Sequence, residues 1–239
     1  YNPGSLHLYE FRNPDTGKVE RYFSGLVHYA REFADLNNNH MRLKELHPKL
    51  KELLYHNGPD KFKGEYDIAP PEEKKKIDHQ IELANDPKKH DELLNTYGKD
   101  INLLAQEDMI RKNKDILPKL IDTVGDKLHP VLQTKAMEHP DPSVAHKVID
   151  IMGDKLPPYA QMAAMEHKDP LIAHKVIDTI GNKLHPDAHY RAMNNKDPSV
   201  AHKVIDIMGD KLDYMAQKDA MNHPDPSVKE KAIQLYGKK

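Results

Sequence analysis

The sequence predicts a mainly all-α protein: a solenoid of 28-residue helix pairs, fronted by a small cap made of a β-hairpin and helices. Three observations predict it. Asp141-Pro-Ser-Val-Ala-His-Lys-Val-Ile-Asp150 returns as Asp169-Pro-Leu-Ile-Ala-His-Lys-Val-Ile-Asp178, again as Asp197-Pro-Ser-Val-Ala-His-Lys-Val-Ile-Asp206, and in decayed form from Asp225. Gly125, Gly153, Gly181, Gly209 and Gly237 keep the same period, with Gly98 one residue out of step. A second element alternates with the first: Lys127-Leu128, Lys155-Leu156, Lys183-Leu184 and Lys211-Leu212 are each followed nine residues later by Ala-Met. Fixed-period self-similarity of this kind is the signature of a stacked-repeat architecture.

Each unit reads as two short helices. Asp141 suits an N-cap, Pro142 the first helical position and Gly153 the residue after the C-terminus. Val144, Val148, Ile149 and Met152 then form one apolar stripe. The partner helix starts near Pro130, Pro158 or Pro186 and buries the equivalents of Leu132, Ala136 and Met137. Helices of about ten residues are marginal alone, and one pair cannot enclose a core, so neighbouring pairs must stack. Clear repeats are expected over about 99–239 and a divergent unit over 71–98, within a helical region 71–239. The final unit should be more polar, since Lys229-Glu230 replaces Ala-His and Gln234 replaces Asp.

Residues 1–70 are different material. All four Phe and four of the six Arg lie there. Leu6–Arg12 and Lys18–Phe23, joined by Asn13-Pro-Asp-Thr-Gly17, read as a β-hairpin. An amphipathic helix is expected over about 25–36, with Leu26, Ala30 and Phe33 facing inward, followed by helices at about 41–46 and 48–56. A hairpin is barely stable by itself, so this cap must pack on its own helices or on the repeats, giving one integrated domain.

Composition narrows the chemistry. The chain has 239 residues, 36 basic against 38 acidic, and no Cys. Disulfides, thiolate nucleophiles and Cys-type zinc sites are therefore excluded. Balanced charge offers no global field for nucleic acid or anionic membrane, and the apolar runs are too short to span a bilayer. Beginning at Tyr1, the sequence is expected to be part of a longer protein, and we expect a monomer. No Gly-x-Ser-x-Gly, Gly-x-Gly-x-x-Gly or Walker loop occurs.

Four constellations carry candidate chemistry. His146, His174 and His202, each four residues before an Asp, form either a ligand or metal ridge or an exposed i,i+4 pair, and the pair is favoured. Lys147, Lys175, Lys203 and Lys231 form a basic row that could meet an anion, although neighbouring Asp residues cancel much of its field. His185-x-x-x-His189 has metal-like spacing, but Pro186 starts a helix between them, so no metal site is assigned. His90-Asp91 is too isolated to specify a phosphohydrolase.

Lys-Leu, seven residues, Ala-Met, four residues and Pro recur four times, ending at Pro142, Pro170, Pro198 and Pro226. In this spacing the chain resembles the KLAMP domain, a helical module of Legionella type IV effectors, one of them related to the SidE family. The resemblance implies a bacterial protein delivered into the host cytoplasm by a type IV system, binding ADP or a related adenine nucleotide and requiring no cofactor. It carries over no catalytic residues. Since Arg is a bidentate phosphate ligand and this chain otherwise favours Lys, the nucleotide contacts are expected in the Arg-bearing cap: Arg12, Arg21, His28, Tyr29, Arg31, Arg42 and Lys44. The competing readings are a scaffold that engages a host protein and a nucleotide phosphodiesterase or phosphohydrolase. Nothing in the residues marks catalytic machinery.

Overall fold

The structure, a computed structural model, describes residues 7–27, 30–35, 40–41, 46–57 and 66–237. Its contacts group into two units, Tyr1–Glu82 and Leu83–Lys239.

In the first unit four antiparallel strands pair in chain order: β1 (His7–Arg12), β2 (Val19–Val27), β3 (Ala30–Asp35) and β4 (His40–Met41). The expected hairpin is present. Its turn is fixed by the Asn13 side chain, which accepts from the amides of Asp15 (2.9 Å) and Thr16 (3.3 Å), while Gly17 takes φ +68°. The helix expected over 25–36 is not formed: β2 runs on to Val27, and 30–35 is a strand paired to it from Val27↔Ala30 to Tyr22↔Asp35. Leu26, Ala30 and Phe33 do sit at helical spacing, but the neighbouring strand's open edge satisfies the backbone of 30–35 directly. The helix expected at 41–46 also gives way at its start, where His40–Met41 pairs with β3. Helix α1 (Pro48–Asn57) forms as expected. It turns Leu50 and Leu54 onto Phe11, Leu46 and Ile68, a small separate core.

After α2 (Pro71–Ala84), the second unit is a row of helices. It runs through α3 (His90–Tyr97), α4 (Leu103–Lys112), α5 (Leu117–Val124), α6 (Pro130–Met137), α7 (Pro142–Met152), α8 (Pro158–Met165), α9 (Pro170–Ile180), α10 (Pro186–Met193), α11 (Pro198–Met208), α12 (Tyr214–Met221) and α13 (Pro226–Tyr236). First helices pack on first helices, α6 on α8, α8 on α10 and α10 on α12; second helices do likewise, α7 on α9, α9 on α11 and α11 on α13. Each first helix also packs on the second helix of its own pair. This is the stacked helical repeat that the period implied.

The caps work as read. Asp141, Asp169, Asp197 and Asp225 each accept from the amide two residues on, at 2.9–3.0 Å. Hydrogen bonds from Ser143 and Ser199 hold the carboxyls of Asp141 and Asp197 below the usual range. Gly153 ends α7 at φ +56° with nothing near its missing side chain, so its requirement is conformational. Val144, Val148, Ile149, Leu132, Ala136 and Met137 are all buried. The last helix is only partly polar, because Ile233 and Leu235 remain about half exposed beside Lys229 and Glu230.

A buried column of glutamines joins successive first helices. Gln133, Gln161 and Gln217 each donate to the carbonyl five residues before (Leu128, Leu156, Leu212) at 2.7–2.8 Å. Gln161 Oε1 also accepts the amide of His185 in the next repeat (2.8 Å), and Gln106 Oε1 accepts that of His129 (2.9 Å). Two members break the column. Gln133 Oε1 is buried without a partner, because the residue 24 positions on is Pro157, which has no N–H. His189 occupies the next slot: its Nδ1 accepts from the Asp213 amide (3.3 Å), and its Nε2 is buried without a hydrogen bond. Burial pushes the His189 pKa below 6.5, against the opposing pull of the Leu184 carbonyl and the Asp213 carboxylate.

Candidate interaction surface of the repeats

The second helices carry the rows that the sequence singled out, and stacking assigns them partners. Lys147 meets Asp122 of the preceding repeat at 2.6 Å, Lys175 meets Asp150 at 2.7 Å, Lys203 meets Asp178 at 2.6 Å, and Lys231 meets Asp206. The basic row is thus neutralised carboxylate by carboxylate along its length. The histidines turn elsewhere: His174 Nε2 lies 3.0 Å from Ser199 Oγ and His202 Nε2 lies 2.8 Å from Ser227 Oγ. For His174 and His202 the intrahelical His–Asp pair favoured from spacing is therefore replaced by links to the neighbouring repeat; for His146 it is not. Leu171 stands where those serines would be, and it is exposed.

The remaining histidines of the repeats are also structural. His139, His167 and His223 accept through Nδ1 from the amides of Asp141, Asp169 and Asp225, a role that Asn195 takes for Asp197. His185 caps α10 through the Asp187 amide while His189 is buried, so the two do not converge on a metal-binding geometry. His90 is buried and its Nε2 lies 2.8 Å from the Ala84 carbonyl, and Asp91 pairs with Lys119 at 2.6 Å. Lys183 pairs with Asp154 at 2.8 Å, an interaction that lowers the Asp154 pKa and raises that of Lys183.

The face of the first helices is different. Helix α8 reads Pro-Tyr-Ala-Gln-Met-Ala-Ala-Met and carries no charge. Its Ala160, Gln161, Ala164 and Met165 are buried, Met162 and Ala163 are half-buried against the core, and Tyr159 is left exposed. Tyr159 is 50% exposed, and the flanking helices add Val131 and Tyr190, also nearly half exposed. Leu104 on α4 and Met215 on α12 occupy the slot of Val131 and Tyr159, interrupted only by Asp187 on α10. Two concavities open along the edge where these helices end. One of about 340 Å³ between α4 and α6 is lined by Val131, Lys114 and Lys135 among others. The second, of about 700 Å³, is lined by Lys168, Arg191, Asn194 and Lys196 among others.

The expected nucleotide contacts are distributed as follows. Arg12 ends β1, is exposed, and donates to the Gly17 carbonyl at 3.0 Å, so it braces the hairpin turn. Arg21 lies in β2 opposite Glu10, and Arg31 lies in β3 opposite Leu26. By strand alternation, positions 12 and 21 fall on one face of the sheet and position 31 on the other. A strand at 30–35 also removes the helical i,i+3 relation expected between His28 and Arg31. His28, Tyr29, Arg42 and Lys44 lie outside the described residues. What sequence reasoning did not select in this unit is a cleft of about 570 Å³ between α1 and α2, lined by Lys49, Lys51 and Lys74 with Glu52 and Asp67, and by the apolar Ile68, Ala69 and Pro70. Its wall is held by His47, whose Nε2 lies 3.0 Å from Asp15 Oδ2 and whose ring lies against Phe11.

No family model matches the chain, and neither the curated proteins nor the solved structures contain a match to it.

Proposed function

We propose that the chain is a non-catalytic helical-repeat module that binds another protein through the face of its first helices. The observation that carries this reading is the uncharged helix α8, whose exposed Tyr159 is flanked by the exposed Val131 and Tyr190. In a chain with 31% charged residues, an open apolar surface on three adjacent repeats is a cost in water that core packing does not require. Tyrosine on such a surface supplies large, rigid contact area with a polar tip, the residue chemistry that dominates protein interfaces. The opposite face is tied up in Lys–Asp pairs and offers little to a partner. The test is site-specific photo-crosslinking in cell extract, with the photoreactive residue placed at Tyr159 or at Asp178 on the paired face. A discrete adduct from position 159 and none from 178 is expected. The same adducts from both positions, or none from 159, would refute the reading.

A second reading keeps the adenine nucleotide and the translocated-effector setting that goes with it. It is supported by the cleft between α1 and α2, which sets Lys49, Lys51 and Lys74 beside an apolar floor of Ile68, Ala69 and Pro70, with Glu52 and Asp67 also in its lining. Phosphates would meet the lysines and the base would lie on the floor. A melting curve with ADP tests it, since ligand bound only to the folded state raises the midpoint as RT ln(1 + [L]/Kd). An unchanged midpoint in saturating ADP would remove this reading.

A further inference from the structure

We propose that the occupant of the first-helix face is an acidic amphipathic helix of the partner protein, laid across α4, α6, α8 and α10. The proposal rests on the protein-binding reading above and adds the partner's charge and shape. Its argument is the charge balance along the edge of the apolar row. Two of the four carboxylates lining the two concavities are ion-paired, Asp108 with Arg111 at 2.7 Å and Glu166 with Arg191 at 2.5 Å, while Glu107 lies 3.1 Å from the His129 ring and Asp197 accepts the Ser199 amide at 2.9 Å. Lys114, Lys135, Lys168 and Lys196, lining the same two concavities, have no ion-pair partner among the described residues. Arg111, Arg191 and these four lysines against Glu107, Asp108, Glu166 and Asp197 leave the edge two positive charges in surplus, while on the opposite face Lys147, Lys175, Lys203 and Lys231 are each matched.

Because the first helices repeat in parallel, Val131, Tyr159 and Tyr190 lie on successive helices, with Lys135 in the last turn of α6 and Lys114, Lys168 and Lys196 just beyond the C-terminal ends of α4, α8 and α10. Neighbouring helices pack about 8–10 Å apart, so the row from α4 to α10 spans roughly 25–30 Å. A helix of about 20 residues covers that length at about 1.5 Å per residue. A partner helix whose apolar stripe offers an anchor about every six or seven residues along its length would place them on Leu104, Val131, Tyr159 and Tyr190, with carboxylates on one flank reaching the lysine edge. A basic helix of the same apolar pattern would set like charges together and be rejected.

The experiment uses the whole chain and two fluorescein-labelled helical peptides of about 20 residues, sharing one Leu/Phe stripe and carrying either Glu or Lys on the remaining positions. Anisotropy should show the Glu peptide binding roughly tenfold or more tighter than the Lys peptide. Tyr159→Ser should weaken it by at least about tenfold, the scale of an interface aromatic anchor. The pair Lys135→Glu and Lys168→Glu should weaken it and reduce its salt dependence. All these sites are exposed, and a circular-dichroism melt confirms that each variant is folded. Preference for the Lys peptide, with Tyr159→Ser still disruptive, overturns the acidic partner while leaving the protein-binding face standing. No binding of either peptide, binding indifferent to Tyr159, or displacement of the peptide by a single-stranded oligonucleotide overturns the proposal outright.

Discussion

Replacing Pro157 with Asp should stabilise the protein, a result that contact counting around a proline would not suggest. Pro157 sits at the N-cap of α8 with φ −68° and ψ 156° and provides no side-chain cap. Asp213 holds the same position before α12 at φ −56° and ψ 143°, and its carboxylate accepts the Met215 amide at 2.9 Å. The backbone at 157 is therefore already shaped for a capping residue. The missing N–H also leaves Gln133 Oε1 unpartnered in the interior, whereas Gln161 Oε1 receives the His185 amide. Satisfying a buried acceptor restores about 1–3 kcal/mol, and a new cap adds about 0.5–2 kcal/mol. Losing the proline's restriction of the unfolded chain costs about 0.4–1 kcal/mol. The net gain is about 0.5–4.5 kcal/mol, and for a chain of this length each kcal/mol raises the melting midpoint by about 2–4 °C. Pro157→Ala, which returns the N–H without a cap, should fall between wild type and Pro157→Asp. Scanning calorimetry on the three proteins decides the matter. A midpoint for Pro157→Asp at or below wild type would refute the account of the glutamine column.

Three further outcomes follow from the same contacts. With its pKa depressed by burial, His189 takes up its proton in the unfolded chain first, so stability should be indifferent to His189 above about pH 6.5 and fall as pH drops below that value. His189→Gln, which restores the column residue, should remove that part of the acid loss in denaturant titrations run at several pH values; an unchanged pH slope would count against it. Asp178→Asn should cost less than about 1 kcal/mol and lose most of that effect in concentrated salt, because the pair with Lys203 is partly exposed. A large, salt-independent loss on chemical denaturation would contradict this. Gly153→Ala should destabilise by about 1–2 kcal/mol although nothing lies within 4 Å of the added carbon, since the cost lies in the positive φ; a neutral effect would show that the turn can relax.

Much of the repeat was legible because its signals are local. Asp141 and Pro142 start α7 and Gly153 stops it, each through its own backbone chemistry, and the stripe of Val144, Val148, Ile149 and Met152 needs only a helix to become a face. The strand at 30–35 was not legible for the complementary reason. Ala-Arg-Glu-Phe-Ala-Asp contains good helix formers, and only its pairing with β2 overrides them. The partners of Lys203 and His202 were hidden too, since they depend on a 25-residue offset that stacking alone creates. Two signals were open to a closer reading. Gln133, Gln161 and Gln217 recur at the repeat period among buried positions, and α8 is the one first helix of the clear repeats without a charged residue.

The polar ties described between repeats span one unit and no farther: lysine back to aspartate, glutamine forward to amide, asparagine back to carbonyl. A recombination error that inserts or drops one whole 28-residue block would leave the surviving ties in step, while an error of any other length would throw them all out of phase together. Such a chain can gain or lose length in quantised steps across generations, without any alteration to what lies inside.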